Sequence, residues 1–263
     1  MISLFAEEPK KDLSTIAVVS AFEATGRMGL LRDSAVISKR GYAATGATSA
    51  IDIINAYDDV SRFELSCEVL SKSLKTMFEQ TPLAIKIGRI VSEAQVDVVR
   101  EFTKDCDIPV VLDLSFQSKS GHERTSKKTI DLAMKLLIKD TTLLMLNHQE
   151  AQTLSKMTVF EPRSMCEAAK AIYDIFGVNT LISGGHLDRI IRDMYFDGSC
   201  SEFGADHIKG QFFGTGDTFS SLITAALASS NSVGDGIAES RELMSIAISN
   251  SHKVGDWSIV MLP

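Results

Sequence analysis

The sequence predicts an α/β protein in which helices cover both faces of a central, mostly parallel sheet. Two observations predict it: short strand-like runs alternate with helical stripes, and these runs are apolar at almost every position. Successive side chains of a strand point to opposite faces, so a continuously apolar strand is covered on both sides. Because no linker or composition shift divides the 263 residues, we expect a single domain over residues 1–263.

The predicted strands, in chain order, are TIAVVS (15–20), LAIKIG (83–88), IPVVLDLS (108–115), TLLMLN (142–147) and NTLISGG (179–185). Between them, apolar residues recur at the i, i+3, i+4 spacing of an amphipathic helix, with one stripe beginning at Ile130 and another at Met165. Ser92 followed by Gln95 predicts a capping box at the start of a further helix.

Composition restricts the function classes. A net charge of −7 disfavours a general nucleic-acid or anionic-membrane binder, so an anionic ligand needs a local positive device such as backbone N–H groups, a lysine or a metal. No apolar run reaches the ~18 residues that span a bilayer, and glutamates interrupt the apolar N-terminus, so we expect a cytoplasmic protein without a signal peptide. The cysteines form no CxxC pair, and we expect all four to be reduced: Cys67, Cys106, Cys166 and Cys200.

The stretch GQFFGTGDTFSSLITAALA (210–228) carries the strongest functional signal. Its later apolar positions share one helical face, so a helix begins near Gly216 or Asp217. The first turn of a helix has N–H groups without intrahelical partners and a partial positive charge. Gly214 and Gly216, with Thr215 between them, allow the backbone to bend tightly and approach a ligand, which predicts a main-chain anion hole.

Asp217 directly follows this glycine turn and has two readings. It can accept a proton from an attacking hydroxyl group, as a catalytic base does in phosphoryl transfer. It can equally act as a helix cap, a common role of aspartate. The turn is not the P-loop of nucleotide hydrolases, because GxxxxGK[ST] is absent.

Polar residues also follow three other strands: Asp113 with Lys119, Asn147 with Glu150, and Ser183 with Gly184, Gly185 and His186. The carboxyl ends of parallel strands meet at one edge of the sheet, where ligands bind. Carboxylates at that edge can hold Mg²⁺ directly or through its waters. The alternatives are structural: Asp113 as a turn residue, Asn147 with Glu150 as a helix cap and its partner, and His186 as a loop histidine.

D-x5-KSG, N-x-x-E, GGH and GTGDTFSS, in this order, resemble the hydroxymethylpyrimidine/phosphomethylpyrimidine kinase family of the ribokinase superfamily, with pyridoxal kinases next. The likeness covers residues 83–228 well and the first third poorly. It implies a ribokinase-like fold that uses ATP and Mg²⁺ to phosphorylate a hydroxymethyl group of a small molecule. It implies that Asp217 is the base and that Gly214 to Gly216 form the anion hole. It also implies that Asp113 and Glu150 lie on the metal side, and that the nucleotide is contacted by Asn147, Lys119, Ser183, Gly184 and Gly185.

The chain departs from the family pattern at several of these positions. Pyrimidine kinases usually have cysteine at the place of Asp217, whereas aspartate is the choice of pyridoxal kinases and ribokinases. Leu114 stands where the family has proline after the strand aspartate, and Ser183 stands where it tends to have lysine. Serine offers the nucleotide phosphates a hydroxyl group where lysine offers a full positive charge.

The N-terminal substrate loop departs further, because the window AFEATGRMG (21–29) replaces a glycine- and serine-rich motif. Glu23 stands at the place of the family's aspartate, Gly26 is retained, and Arg27 replaces a glycine. Arg27 can bind a phosphate or carboxylate of the substrate, or lie solvated in the loop. Downstream, TGATSAID (45–52) lacks the family's Gln-Asn pair near the pyrimidine.

The resemblance implies an ATP- and Mg²⁺-dependent kinase of a vitamin precursor. Hydroxymethylpyrimidine or its phosphate, in thiamin biosynthesis, is the first acceptor, and pyridoxal or pyridoxine is the alternative. A kinase-derived protein that binds a ligand without transferring phosphate is an alternative of another class. We expect no nucleic-acid or membrane partner, and a homodimer is possible because relatives of this fold often pair.

Overall fold

The computed structural model describes residues 13–54, 59–116, 123–184, 190–254 and 257–263. The strands are β1 (Thr15–Glu23), β2 (Ala43–Ile54), β3 (Asp59–Glu64), β4 (Ile85–Ile87), β5 (Val110–Leu112), β6 (Leu143–Asn147), β7 (Thr180–Ser183), β8 (Ile190–Phe196), β9 (Cys200–Asp206), β10 (Phe212–Phe213), β11 (His252–Val254) and β12 (Trp257–Ile259). The helices are α1 (Gly29–Lys39), α2 (Cys67–Phe78), α3 (Glu93–Thr103), α4 (Lys127–Leu136), α5 (His148–Ser155), α6 (Pro162–Phe176), α7 (Thr215–Ala228) and α8 (Val233–Ser249).

Nine strands form the central sheet in the order β3-β2-β1-β4-β5-β6-β7-β8-β9. The strands from β2 through β7 in this order run parallel, and β3, β8 and β9 add antiparallel pairs at the two edges. A smaller sheet has the order β10-β12-β11. All five strands predicted from the sequence are present, and the mostly parallel sheet is confirmed.

Helices cover both faces of the central sheet, as the apolar strands require. On β6, Leu144 and Leu146 belong to one buried cluster together with residues of α2, α3, α4 and α6. Leu143 and Met145 belong to a second cluster, which includes residues of α7 and α8. Alternate residues of one strand therefore enter two separate cores, and each leucine-to-alanine change in them is expected to cost about 2–5 kcal/mol.

Two local predictions are wrong. Ser92 is the N-cap of α3, but its side chain makes no capping hydrogen bond and contacts Glu64 instead. The Gln95 amide donates to the carbonyls of Ser49 and Leu65, 2.8 and 2.9 Å away, because these buried oxygens need partners. Four reduced cysteines were expected, but a disulfide joins Cys166 of α6 to Cys200 of β9, which the fold brings together from distant positions.

No helix in the described ranges is long and apolar enough to cross a membrane. This agrees with the short apolar runs of the sequence.

Candidate active site

The site lies where the parallel strands end and α7 begins. Glu23, Asn147 and Ser183 are the last residues of β1, β6 and β7, respectively, and Asp113 directly follows β5. Asn147 and Ser183 are register partners on adjacent parallel strands. The residues predicted from the strand ends therefore come together at one edge of the sheet, as the topology requires.

The glycine turn before α7 leaves main-chain amides open. Gly214 is the N-cap with φ +72, a left-handed conformation that favours glycine, and a Cβ there would lie 2.0 Å from the carbonyl oxygen of Arg27. A Cβ on Gly216 would instead meet no atom within 4 Å. Gly214 has no side chain that could cap the helix, so the first N–H groups of α7 have no side-chain cap.

Asp217 occupies the third position of α7, and its carboxylate contacts other elements of the fold. Its Oδ2 atom accepts a hydrogen bond of 3.2 Å from the amide of Gly29, and its Oδ1 atom lies 3.5 Å from Nζ of Lys86. The side chain is 26% exposed. These contacts are those of a carboxylate presented to a site, in contrast to the helix-cap alternative.

Lys86 is the main residue that the sequence interpretation missed. It lies on β4 with a fully buried side chain, forms an ion pair with Asp33 of α1, and approaches Oδ2 of Asp113 to 3.9 Å as well as Asp217. Burial opposes its charge, but the carboxylates of Asp33, Asp217 and Asp113 outweigh burial and raise the pKa of Lys86. One ammonium group therefore holds three carboxylates at the centre of the site.

The remaining contacts of this cluster fix its shape. Asp33 also accepts a hydrogen bond of 2.9 Å from the hydroxyl of Ser221, and burial raises the pKa of Asp33 to about 7. Asp113 accepts a hydrogen bond of 2.6 Å from Ser220, and burial likewise raises its pKa. A lysine inside an otherwise apolar strand could have revealed the cluster, because a buried lysine needs acidic partners.

Asn147 and Glu150 form the capping box of α5. The Oδ1 atom of Asn147 accepts from the amides of Gln149 and Glu150, and Oε2 of Glu150 accepts from the amide of Asn147 at 3.0 Å. The Oε1 atom of Glu150 accepts from the amide of Phe116. Burial raises the pKa of Glu150 to about 8. Both residues thus have the structural role that the sequence left open, and a role of Glu150 toward a metal remains a prediction.

The turn after β7 is held by a buried ion pair. The amide of Gly184 donates a hydrogen bond of 3.0 Å to Oδ1 of Asp193, whose Oδ2 atom lies 3.3 Å from Nε of Arg241. A Cβ on Gly184 would lie 2.0 Å from the carbonyl oxygen of Arg192, so only glycine fits there. Lys119, Gly185 and His186 lie outside the described residues.

The N-terminal loop packs against the glycine turn. Glu23 is buried and organises the loop, because its carboxylate accepts hydrogen bonds from the amide and hydroxyl of Thr25 and from the amide of Arg27. Gly26 has φ +68, a turn conformation that glycine adopts readily. The amide of Gly29 binds Asp217, so this loop and the catalytic candidate are directly connected.

The interpretation of Arg27 as a solvated loop residue is wrong. Its side chain is 1% exposed, and its guanidinium lies over the rings of Phe213 and Trp257, at 4.9 and 5.1 Å from their centroids. Cation–π contacts with two aromatic rings explain why a charged loop residue is buried. Arg27 thereby anchors the loop to the small sheet.

The carboxylates of the site fit a magnesium ion that takes some of its ligands from the protein and others from a substrate. Among the described residues, no three His, Cys, Asp or Glu side chains converge as a dedicated metal cage. Mg²⁺ is usually held by one or two carboxylates together with waters and phosphate oxygens, so such a cage is not required. Asp113, beside Asp217 at the strand edge, supplies the oxygen chemistry that such an ion needs.

Comparison with known proteins agrees with this architecture. The phosphomethylpyrimidine kinase family model matches residues 24–261. The hydroxymethylpyrimidine/phosphomethylpyrimidine kinase of Aquifex aeolicus is 29% identical over 248 residues, which cover 92% of this chain and 97% of that protein. The structure of pyridoxal kinase from Staphylococcus aureus in complex with AMP-PCP and pyridoxal matches with a TM-score of 0.86 at 22% identity, covering 95% and 94% of the two chains. Phosphomethylpyrimidine kinase from Clostridium difficile matches with a TM-score of 0.78 at 22% identity, covering 90% and 100%.

The central sheet and its surrounding helices define a ribokinase-like fold. The chain belongs to the phosphomethylpyrimidine kinase family, and it is a phosphotransferase with an alcohol group as acceptor.

Proposed function

We propose that this kinase transfers the γ-phosphoryl group of ATP to a vitamin precursor, with hydroxymethylpyrimidine or its phosphate as the first acceptor. The accepting atom is the hydroxymethyl oxygen of the former and a phosphate oxygen of the latter. This places the enzyme in thiamin biosynthesis. The observation that carries the proposal is that Asp217 is partly exposed in the uncapped first turn of α7 and contacts the buried Lys86 and the amide of Gly29.

Asp217 serves as the base in this proposal. The acceptor hydroxyl gives its proton to the Asp217 carboxylate as its oxygen bonds to the γ-phosphorus, and the bond between that phosphorus and the β,γ-bridging oxygen breaks, so that ADP leaves. The amides at Gly214 to Gly216 face the charge that develops on the transferred group. The Gly29 amide and Lys86 keep the base oriented.

We propose that Asp113 binds the magnesium ion and that Glu150 lies on the same metal side of the site. When bound, the ion neutralises charge on the nucleotide phosphates. Asn147, Ser183 and Gly184 lie on the β6–β7 side of the site, where we propose that the phosphates bind.

The first test is ATP turnover with hydroxymethylpyrimidine, its phosphate, pyridoxal and pyridoxine. Asp217→Asn is the matched control, because asparagine keeps an oxygen that can accept from the Gly29 amide. We expect Mg²⁺-dependent product from the wild type and a loss of about 100-fold or more in the variant. Absence of product with every acceptor, or full activity of the variant, would contradict the proposal.

Pyridoxal kinase activity is the alternative within the same class. Its motivation is Asp217, the choice of pyridoxal kinases, together with the similarity in fold to the pyridoxal kinase of S. aureus. The order of kcat/KM values across the four acceptors decides between the two vitamins.

A ligand-binding protein without transferase activity is the alternative of another class, motivated by the altered loop at Glu23 and by Ser183. Thermal-shift titration separates it from a kinase. Mg²⁺–ATP at about 100 times its Kd stabilises a true nucleotide binder by ~2.7 kcal/mol. Stabilisation by a vitamin and never by the nucleotide would favour the binding protein.

A homodimer, a single domain over residues 1–263 and a cytoplasmic location remain predictions. For the dimer, the edge of the central sheet offers a surface. Ile51 and Phe63 are cross-strand partners of β2 and β3, and they are 38% and 57% exposed. Light scattering of the wild type and of Phe63→Asp tests whether this edge holds two copies together.

A further inference from the structure

A group of charged side chains, here named the arginine cluster, lies beside β1 and consists of Arg62, Arg89, Arg124 and Asp52. Asp52 is the register partner of Glu23 on the neighbouring strand. Its Oδ1 atom lies 2.9 Å from Nε of Arg62, and its Oδ2 atom contacts Nη2 of Arg89. Arg62 also donates a hydrogen bond of 2.6 Å to the carbonyl of Arg124. The guanidinium groups of Arg62 and Arg89 therefore share the carboxylate of Asp52.

Arg89 is the member of the arginine cluster closest to the end of a parallel strand. It follows β4, three residues after Lys86, and the hydroxyl of Ser49 fixes its carbonyl with a hydrogen bond of 2.7 Å. The residue is 6% exposed, and its Nη1 atom is buried with no hydrogen-bond partner among the residues that the structure describes. A buried N–H group without an acceptor costs about 1–3 kcal/mol, so a bound acceptor atom there relieves a real cost.

Electrostatics place Arg89 near the proposed base. The carboxylates of Asp217 and Glu23 favour its charge, whereas burial and the positive charge of Arg124 disfavour it. Burial lowers the pKa of Arg89 to about 9, and the direct contact with Asp52 opposes this lowering, so the guanidinium is cationic at neutral pH. In a protein with a net charge of −7, this is a local positive device of the kind that an anionic ligand requires.

The strand order separates this cation from the nucleotide side of the site. Asp52 and Arg89 belong to the β2-β1-β4 part of the sheet, whereas Asn147 and Ser183 lie on β6 and β7. Asp217, held by Lys86 of β4 and by Gly29, lies between the two parts. An anion at Arg89 is therefore on the acceptor side of the base.

We propose that Arg89, braced by Arg62 through Asp52, binds an anionic ring substituent, a carboxylate or phosphate, on the acceptor molecule. This rests on the proposed kinase function and makes Arg89 a specificity-determining residue. Guanidinium matches both anions, because its planar fork of N–H donors pairs with two oxygens at once. A neutral substituent at the same place leaves the Nη1 donor without a partner, and the enzyme therefore prefers charged acceptors.

The test compares two matched acceptors that differ in charge, pyridoxine and pyridoxic acid, which carries a carboxylate in place of one hydroxymethyl group and keeps the other as the acceptor. The ratio of kcat/KM for pyridoxic acid over pyridoxine is measured in the wild type, Arg89→Met and Arg89→Lys. We expect Arg89→Met to lower this ratio by about 30-fold or more, and Arg89→Lys to restore part of it.

Arg163→Met is the matched control, because the Arg163 side chain is 84% exposed on α6, and its ratio should equal that of the wild type. Equal ratios in Arg89→Met and the wild type would overturn the proposal. If Arg89→Met does not fold, inhibition of the wild type by inorganic phosphate and by acetate at constant ionic strength replaces it. Inhibition competitive with the acceptor by at least one anion supports the proposal, and absence of competition by both contradicts it.

Calorimetric titration of pyridoxine and pyridoxic acid without nucleotide separates this proposal from the proposed kinase function. Preferred binding of a charged acceptor by a protein that transfers no phosphate leaves the anion site intact and removes only the kinase function. Turnover of the neutral acceptor with no preference for the charged one, in kcat/KM or in binding, would contradict the anion site and leave the kinase function intact.

Discussion

The ammonium group of Lys86 lies 3.5 Å from the Oδ1 atom of Asp217, and the same group forms an ion pair with the fully buried Asp33. Lys86 therefore connects the core beneath the site to the carboxylate at its surface. A fixed cation at this distance restricts the rotation of the carboxylate. This relationship makes Lys86 a positioning residue for Asp217.

Replacing Lys86 with methionine should lower both activity and stability. The variant leaves Asp33 and Asp113 without their shared cation, and breaking a buried ion pair typically costs about 3–5 kcal/mol. The double variant Lys86→Met/Asp33→Asn removes the buried charge of Asp33 and should recover part of that stability. Urea denaturation measures the free energy of unfolding of both variants.

Activity of this double variant separates positioning from folding. We expect kcat to stay at least about 100-fold below the wild type even where stability recovers, because Asp217 still lacks its cation. Lys72→Met, at a side chain that is 77% exposed, is the control and should have wild-type activity and stability. Recovery of kcat together with stability would show that Lys86 acts only in folding.

Gly214→Ala and Gly216→Ala should have opposite effects on stability. Alanine at residue 214 is strained at φ +72 and meets the carbonyl of Arg27, so Gly214→Ala should lower the melting temperature. Alanine at residue 216 enters open space in the first turn of α7, and the stability should stay equal or rise by up to about 1 kcal/mol. Calorimetric melting of both variants checks this.

Gly216→Ala should nevertheless lower activity, because its methyl group occupies the space in front of the open amides. We expect kcat/KM for ATP to fall by about tenfold or more, the cost of a weakened contact to the transferring group. Unchanged ATP kinetics in a well-folded Gly216→Ala protein would mean that no phosphate binds at this turn.

Much of this architecture was predictable from the sequence, whereas the inner contacts of the site were not. Continuously apolar strands predicted the covered parallel sheet, and the strand order then brought Asp113, Asn147 and Ser183 to one edge. Asp217 was proposed as the base because a carboxylate after a glycine turn is a local pattern. Lys86 and Asp33 were missed because their pairing joins residues 53 positions apart, which no local spacing encodes. Arg27 was misjudged for the same reason, since its aromatic partners Phe213 and Trp257 come from the other end of the chain.

Trp257 should report on the N-terminal loop, because it is the single tryptophan of the chain and lies against Arg27. Arg27→Met removes the cation–π contacts and should cost about 2 kcal/mol of stability and shift the tryptophan emission. Acceptor binding to the wild type should also change the emission, since the loop connects to Asp217 through Gly29. Emission that does not respond to saturating acceptor would place the binding site away from this loop.

Glu150 should make stability depend on pH. Its pKa is raised from 4.5 to about 8 in the folded state, so the folded protein holds this proton more tightly than the unfolded chain. The resulting stabilisation is fully present below the unfolded pKa and is lost as the pH rises through the folded value. Between about pH 6 and about pH 9, the wild type should lose on the order of 2 kcal/mol from this group.

Glu150→Gln removes this titration while keeping the size of the side chain. Thermal denaturation of both proteins should therefore show a stability advantage of the wild type that shrinks as the pH rises. An advantage that stays constant or grows over the same range would mean that Glu150 is ionised in the folded protein at neutral pH.

The most direct test of the account is single-turnover transfer of the labelled γ-phosphate of ATP to hydroxymethylpyrimidine by the wild type and by Asp217→Asn. Both proteins are held at saturating nucleotide and acceptor, with binding of each checked by calorimetry. The account predicts equal binding and a rate of the chemical step that is about 100-fold or more lower in the variant. Equal rates in the two proteins would contradict the role of Asp217 as the base.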